Sequence, residues 1–313
     1  MSRPSVEVET AVADERALGV AADDEASSFV TVGDACANCG ERLAGDYCHR
    51  CGEKRPEARD LSVRHFVAEA AQELTSVEHS KLLHTVVALL FKPGHLTLEY
   101  FAGRRSRYLK PLNLCLGVFA LTLFVYSASN TVSTFNFGMI VESEKEMLAA
   151  NGSGQKPLYE RVVERVAERR RLTREAAVET INDRWGRNFS LFQVPEIVLF
   201  SLLLAVVYFF SRRYLVEHVV FSLHFLAFTS LTTVAMWPVY YVVGIRPTML
   251  NMLFAAAKFI LDIVYLFFAV RAFYREPPLK ALLRAPLLFA GYFVIYVLGY
   301  MVSLAFTLIT LSR

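Results

Sequence analysis

The run "APLLFAGYFVIYVLGYMVSLAFTLITL", residues 285–311, contains no charged side chain. As a helix it would extend about 40 Å, more than the roughly 30 Å hydrocarbon core of a bilayer. Four further runs approach or exceed spanning length: 111–129, 195–211, 219–244 with Pro238 expected to kink it, and 249–270. A shorter run, "LLHTVVALLF" at 82–91, ends at Pro93-Gly94 and is expected to lie in the interface or re-enter. The expected fold is therefore an all-α polytopic membrane protein with about five transmembrane helices.

The direction of threading follows from Lys and Arg near the span ends. One side collects Lys92, Arg104, Arg105, Arg107, Lys110, Arg212, Arg213, Arg271, Arg275, Lys280 and Arg284, eleven charges against six on the other. The N-terminus is accordingly expected in the cytoplasm and the C-terminus outside. Residues 130–194 between the first two spans are charged, with Leu158, Val162 and Val166 at helical spacing and a fresh helix start at Thr173. They are expected to form a helical insert on the outer side. Its Arg169-Arg170-Arg171 run does not overturn the assignment, because long loops largely escape the charge rule.

Composition shifts sharply before the membrane part. Residues 1–35 hold eight acidic side chains against Arg3 and Arg16 and few large apolar ones, which predicts a disordered acidic tail. The start lacks a basic-then-apolar pattern, so no cleavable signal peptide is expected. Residues 36–56, "CANCGERLAGDYCHRCGEKRP", then pair Cys36 with Cys39 and Cys48 with Cys51, a glycine following each pair. Two-residue gaps let both thiolates of a pair face one ion from a tight turn. Four thiolates suit a structural zinc with no open position for catalysis, with a redox dithiol or a metal-free loop as the competing readings. The intervening residues are long enough for a hairpin near Gly45-Asp46, His49 is expected to be solvated, and Cys115 is expected to pack in an apolar run. A unit this small takes its folding energy from metal. The "EKRPEARDLSVRH" stretch after it reads as a linker into a helix capped near Ser62, which would make the ribbon separable from the bundle. Residues 57–110 would thus hold linker, amphipathic helices and a basic box, and 111–313 the transmembrane domain. The net charge of +3 is too small to imply a nucleic-acid partner.

The cysteine ribbon, then "FKPGHLTLEYFAGRRSRYLKPLNL" at 91–114, then "YLVEHVVFSLHFLAF" at 214–228 follow one another in an order that resembles a bacterial membrane family catalogued as domain of unknown function 3667. The resemblance covers roughly residues 36–300. It implies a zinc ribbon followed by membrane helices, and it implies no activity. In the box, Arg104, Arg105, Arg107 and Lys110 precede the first span, with Tyr108 placed for the interface. They could anchor the chain on anionic headgroups or receive a phosphate-bearing ligand.

Ionisable residues inside spans are the remaining candidates. Glu217 and His218 begin the third span, His224 shares a face with Glu217, and Lys258 and Asp262 sit four apart in the fourth. His224 and Asp262 fall at similar depth, roughly 8–12 Å from the inner ends of their helices. They could be structural pairs or a proton or metal relay. No nucleophile elbow, phosphate-cradling glycine loop or helical zinc-protease motif occurs. The expectation is a non-enzymatic protein whose cytoplasmic ribbon docks or senses a protein partner at an anionic bilayer. The alternative is a transporter or membrane enzyme built on Glu217, His224 and Asp262.

Overall fold

The computed structural model describes residues 35–55, 79–128, 137–150, 156–211, 213–243 and 249–312. The acidic tail before residue 35 and the linker with its expected cap at Ser62 lie outside the described residues. The helices are α1 His79–Phe91, α2 His95–Phe101, α3 Pro111–Ala128, α4 Phe137–Ala150, α5 Leu158–Arg170, α6 Arg174–Val207, α7 Leu215–Val243, α8 Met249–Tyr274 and α9 Pro278–Ser312. Among the described residues the only β pairing is two isolated bridges in the cysteine segment.

By length and composition three stretches can cross a bilayer: Leu215–Met236 of α7, Met252–Tyr274 of α8 and Pro278–Leu311 of α9. The chain is a helical membrane protein. A bent pair within α6 would make a fourth span, and α3 is an apolar helix of 18 residues. The apolar run expected as a separate second span is continuous with the insert before it. α6 starts where expected, with the Thr173 hydroxyl accepting from the Ala176 amide at 3.3 Å, but then runs for 34 residues. Nothing between Arg187 and Gln193 breaks a helix. Pro195 has no N–H for the Leu191 carbonyl, and the axis bends by 40° between Phe189 and Leu191 rather than stopping.

α7 is the centre of the bundle. Of its most apolar stretch 61% is buried, against 22% for α9, whose Leu287, Val294, Leu298 and Phe306 face outward. A water-soluble chain would not leave such a surface uncovered. α7 packs on α3, α6 and α8, and α9 packs on α6 and α8. Helices α6 and α9 approach closely at Gly291, where a Cβ would lie 2.5 Å from Leu203 Cδ2. The insert has its own core: Val163, Val166, Ala177, Ile181 and Trp185 pack with Leu304 and Leu311 of α9. Trp185 Nε1 donates to Ser303 Oγ at 3.0 Å and Asn188 Nδ2 to Thr307 Oγ1 at 2.8 Å, tying insert to bundle.

The short helix α2 is set by the Pro-Gly turn before it. Gly94 has φ 78°, and a Cβ there would lie 2.8 Å from the Ala269 carbonyl oxygen of α8. Only glycine satisfies both the left-handed backbone and the contact. This turn brings α2 against α7 and α8 and delivers the chain to the basic box.

Candidate metal centre and basic box

The two cysteine knuckles repeat one local structure. The Gly40 amide donates to Cys36 O at 2.9 Å and the Cys36 amide to Glu41 O at 2.7 Å. Twelve residues on, Gly52 donates to Cys48 O at 2.8 Å and Cys48 to Glu53 O at 2.8 Å. Gly40 and Gly52 sit at φ 74° and 72°, so each knuckle closes through a left-handed residue. The expected pairing between the knuckles across Gly45-Asp46 is replaced by pairing around each one. The bridges join Ala35 to Arg42 and Tyr47 to Lys54. The reason is the tight turn itself, which brings its own flanks together before the intervening loop can.

The ligand sulfurs of Cys36, Cys39, Cys48 and Cys51 all lie within 4.8 Å of one another. Cys36 and Cys51 are 3.5 Å apart and Cys39 and Cys48 3.6 Å, close to the roughly 3.8 Å edge of a tetrahedron built on 2.3 Å zinc–sulfur bonds. These separations are far beyond a disulfide bond, and all four are free thiols. Burial opposes the ionisation of Cys51, but the Glu53 backbone, the Asn38 side chain and the neighbouring thiols bring it down to about 7. Against a lowering hydrogen bond at the Glu41 backbone, burial and the other thiols push Cys39 up to about 12. Four thiolates held this close together would repel one another, and a bound cation would offset that repulsion. The donor set fits a metal ion.

The ribbon is seated on the basic box. Asn38, between the first two cysteines, donates from Nδ2 to Ser106 Oγ at 2.9 Å. The Ser106 amide donates to Glu53 Oε2 at 2.7 Å, and Glu53 is 4% exposed. Both knuckles therefore hold the same residue, in the middle of "GRRSRY". The expectation of a ribbon standing apart from the bundle did not foresee this contact, because the contact depends on the path of the residues between them.

The box itself is a braced loop. Gly103 turns it at φ 75°. The Arg104 guanidinium grips the Glu99 carboxylate with both of its arms, Nε lying 2.7 Å from Oε2. That hydrogen bond holds Glu99 below the ordinary carboxylate range against the opposing effect of burial, and raises Arg104. Arg105 lies over the Tyr100 ring at 4.5 Å. Tyr108 meets His95 Nε2 at 3.3 Å, and burial lowers the His95 imidazole. The Leu109 amide donates to Thr85 Oγ1 of α1 at 2.9 Å, and Lys110 closes the loop by accepting from Leu114 at the start of α3. Arg107 points outward.

The intramembrane candidates divide into separate pairs. Glu217 pairs with Arg213, which also donates to Phe273 O at 2.9 Å. His218 Nδ1 meets Tyr274 Oη at 2.7 Å. His224 Nδ1 meets Thr97 Oγ1 of α2 at 2.9 Å, and Lys258 donates to Asp262 Oδ1 at 2.6 Å. Among the described residues no hydrogen bond or ion pair joins His224 to Asp262 or to Glu217. Cys115 is wholly buried in the main core. Sequence reasoning missed three members of this architecture. Thr97 and Ser106 carry no chemical signature. Glu196, 9% exposed with Oε1 lacking a hydrogen-bond partner among the described residues, was legible as an acid at the head of an apolar run.

No curated protein and no solved structure matches the chain. The stretch from α1 through most of α3, holding the Pro-Gly turn and the box, does match a family. Residues 79–124 match the family described as "Protein of unknown function (DUF3667)", the one that the motifs resemble.

Proposed function

We propose that this is a multi-pass protein of the bacterial inner membrane in which a zinc-held cytoplasmic ribbon acts as a docking or sensing unit clamped to the basic box. Zinc is the metal because four thiolates in a closed tetrahedral shell suit it best among common ions. Five spans, with α3 and the second half of α6 as the first two, would put the termini on opposite sides, and the Lys and Arg bias favours the ribbon inside and the C-terminus outside. They also keep the box at the anionic cytoplasmic leaflet, where each basic residue near the surface adds about 1 kcal/mol of attraction.

The observation that carries this reading is the grip of Asn38 and Glu53 on Ser106. Loss of the metal would unfold the ribbon, release Ser106 and loosen the box, so metal state or a partner bound to the ribbon is relayed to the membrane face. A protein partner on the ribbon follows as the natural receiver of a small rigid surface. A transporter or membrane enzyme working through Glu217, His224 and Asp262 has less support, since each is bonded to a different neighbour.

The test is hydrogen exchange of the full chain in nanodiscs, with zinc content measured on the same sample. One zinc per chain and faster exchange over 103–110 after chelation are expected. Unchanged exchange there after complete zinc removal overturns the coupling, and stoichiometric iron overturns the choice of metal.

A further inference from the structure

Glu196 is the sole charged side chain between Arg187 and Arg212, and it stands directly after Pro195 in α6. It is buried, its Oε1 has no hydrogen-bond partner, and no Lys, Arg or His pairs with it among the described residues. Its carboxyl is within hydrogen-bonding reach of the Tyr292 hydroxyl of α9, which in turn reaches Thr229 of α7. The Tyr292 ring is held edge-on by Phe200 of α6 at 5.5 Å and by Phe225 of α7 at 5.2 Å. We propose that Glu196, with Tyr292 and Thr229, forms an intramembrane site that takes up and releases a proton within the bundle.

Depth and partners select the proton as the ligand. By helix rise Glu196 lies about 16 Å from the Val207 end of α6, and Thr229 and Tyr292 about 21 Å from the first residues of α7 and α9. Short turns join α6 to α7 and α8 to α9, so these ends lie on one side, and the three residues meet near the middle of the spans. Two other buried acids in the bundle show what a fixed negative charge needs there: Glu217 pairs with Arg213, and Asp262 with Lys258. Glu196 has a phenol in place of a cation, so the neutral acid is the form this environment accepts. The remaining titratable groups facing this layer are Cys115 of α3, Asp262 with Lys258 of α8, and Tyr296 beside Tyr292 on α9. Lys258 is the cation among them, and Asp262 holds it. A carboxyl kept only as a brace would have both oxygens satisfied, whereas the open lone pairs of Oε1 can receive and lose a proton. The inference stands apart from the role of the ribbon, which contributes no residue to this layer.

The experiment compares the full chain in nanodiscs with Glu196→Gln, which keeps the shape of the neutral acid, and with Tyr292→Phe. Infrared difference spectra near neutral pH should show the C=O stretch of a protonated carboxyl in wild type that is lost in E196Q. The band should shift on transfer to heavy water and fade as pH is raised. Y292F should move it to higher frequency, because the carbonyl loses a hydrogen bond. Dicyclohexylcarbodiimide adds to a carboxyl only after taking the acid's proton on its nitrogen. It should modify Glu196 and spare the ion-paired Glu217, as read by peptide mass spectrometry. Absence of the band, or equal modification of Glu217, would overturn the site. A band unmoved by both heavy water and alkali would mark an inert structural acid and would overturn it too. Should E196Q fail to fold, Y292F decides: an unmoved band would place the protonated carboxyl elsewhere and refute the assignment.

Discussion

Gly94 sits at the turn that places α2, and its replacement by alanine is opposed by both the backbone and the packing. Two effects add. A left-handed φ of 78° disfavours any L side chain by about 1–2 kcal/mol. The new Cβ would also lie 2.8 Å from the Ala269 carbonyl oxygen, and 3.1 Å from both Ala269 Cα and Ala272 Cβ. These atoms belong to the backbone and first side-chain carbon of α8, so relief requires moving one helix against another, at about 1–3 kcal/mol. The expected loss for Gly94→Ala is about 2–5 kcal/mol. Gly291→Ala meets only the end of the Leu203 side chain, which can change rotamer, so its loss should be smaller. Gly117→Ala meets nothing within 4 Å inside α3 and should be neutral or stabilising by about 0.5–1 kcal/mol. The assay is reversible unfolding of the three purified full-length variants in mixed micelles, read by tryptophan fluorescence and by protease protection of residues 91–110. A Gly94→Ala loss below about 1 kcal/mol, or one no larger than that of Gly291→Ala, would refute the packing argument.

Two further outcomes are expected. The Arg104 hydrogen bond depresses Glu99 in the folded protein, so its contribution is present above the unfolded glutamate value near 4.3 and is lost as pH falls through the lower folded value. Glu99→Gln should therefore cost about 1–3 kcal/mol at pH 7, discounted because Arg104 is about a third exposed, and should flatten the acid limb of the stability profile. An unchanged acid limb would count against the pair. For topology, reporter fusions after Ser129, Ser211, Gly244 and Arg275 should read out, in, out, in, and a cytoplasmic signal at residue 313 would refute five spans.

The sequence by itself determined the helical membrane class, because a bilayer accepts apolar residues in runs long enough to satisfy their own backbone. It located the cysteine cluster too, since two Cys-x-x-Cys-Gly turns have few other uses, and the Thr173 cap, which depends on residues next to it. What it could not supply were relations between residues far apart in the chain. The join of insert and second run into α6 turned on a proline that bends a helix the surrounding residues prefer to continue. Ser106 became the seat of the ribbon because the box loop and both knuckles meet there, 53 and 68 positions from its partners. Counting along the helices puts His224 and Asp262 at a similar expected depth, yet depth leaves rotation about the helix axis free. Packing turned His224 to Thr97 on α2 and left Asp262 with Lys258 on its own helix. Local chemistry and hydrophobic length are written along the chain, whereas azimuth and docking follow from how the helices fill space together.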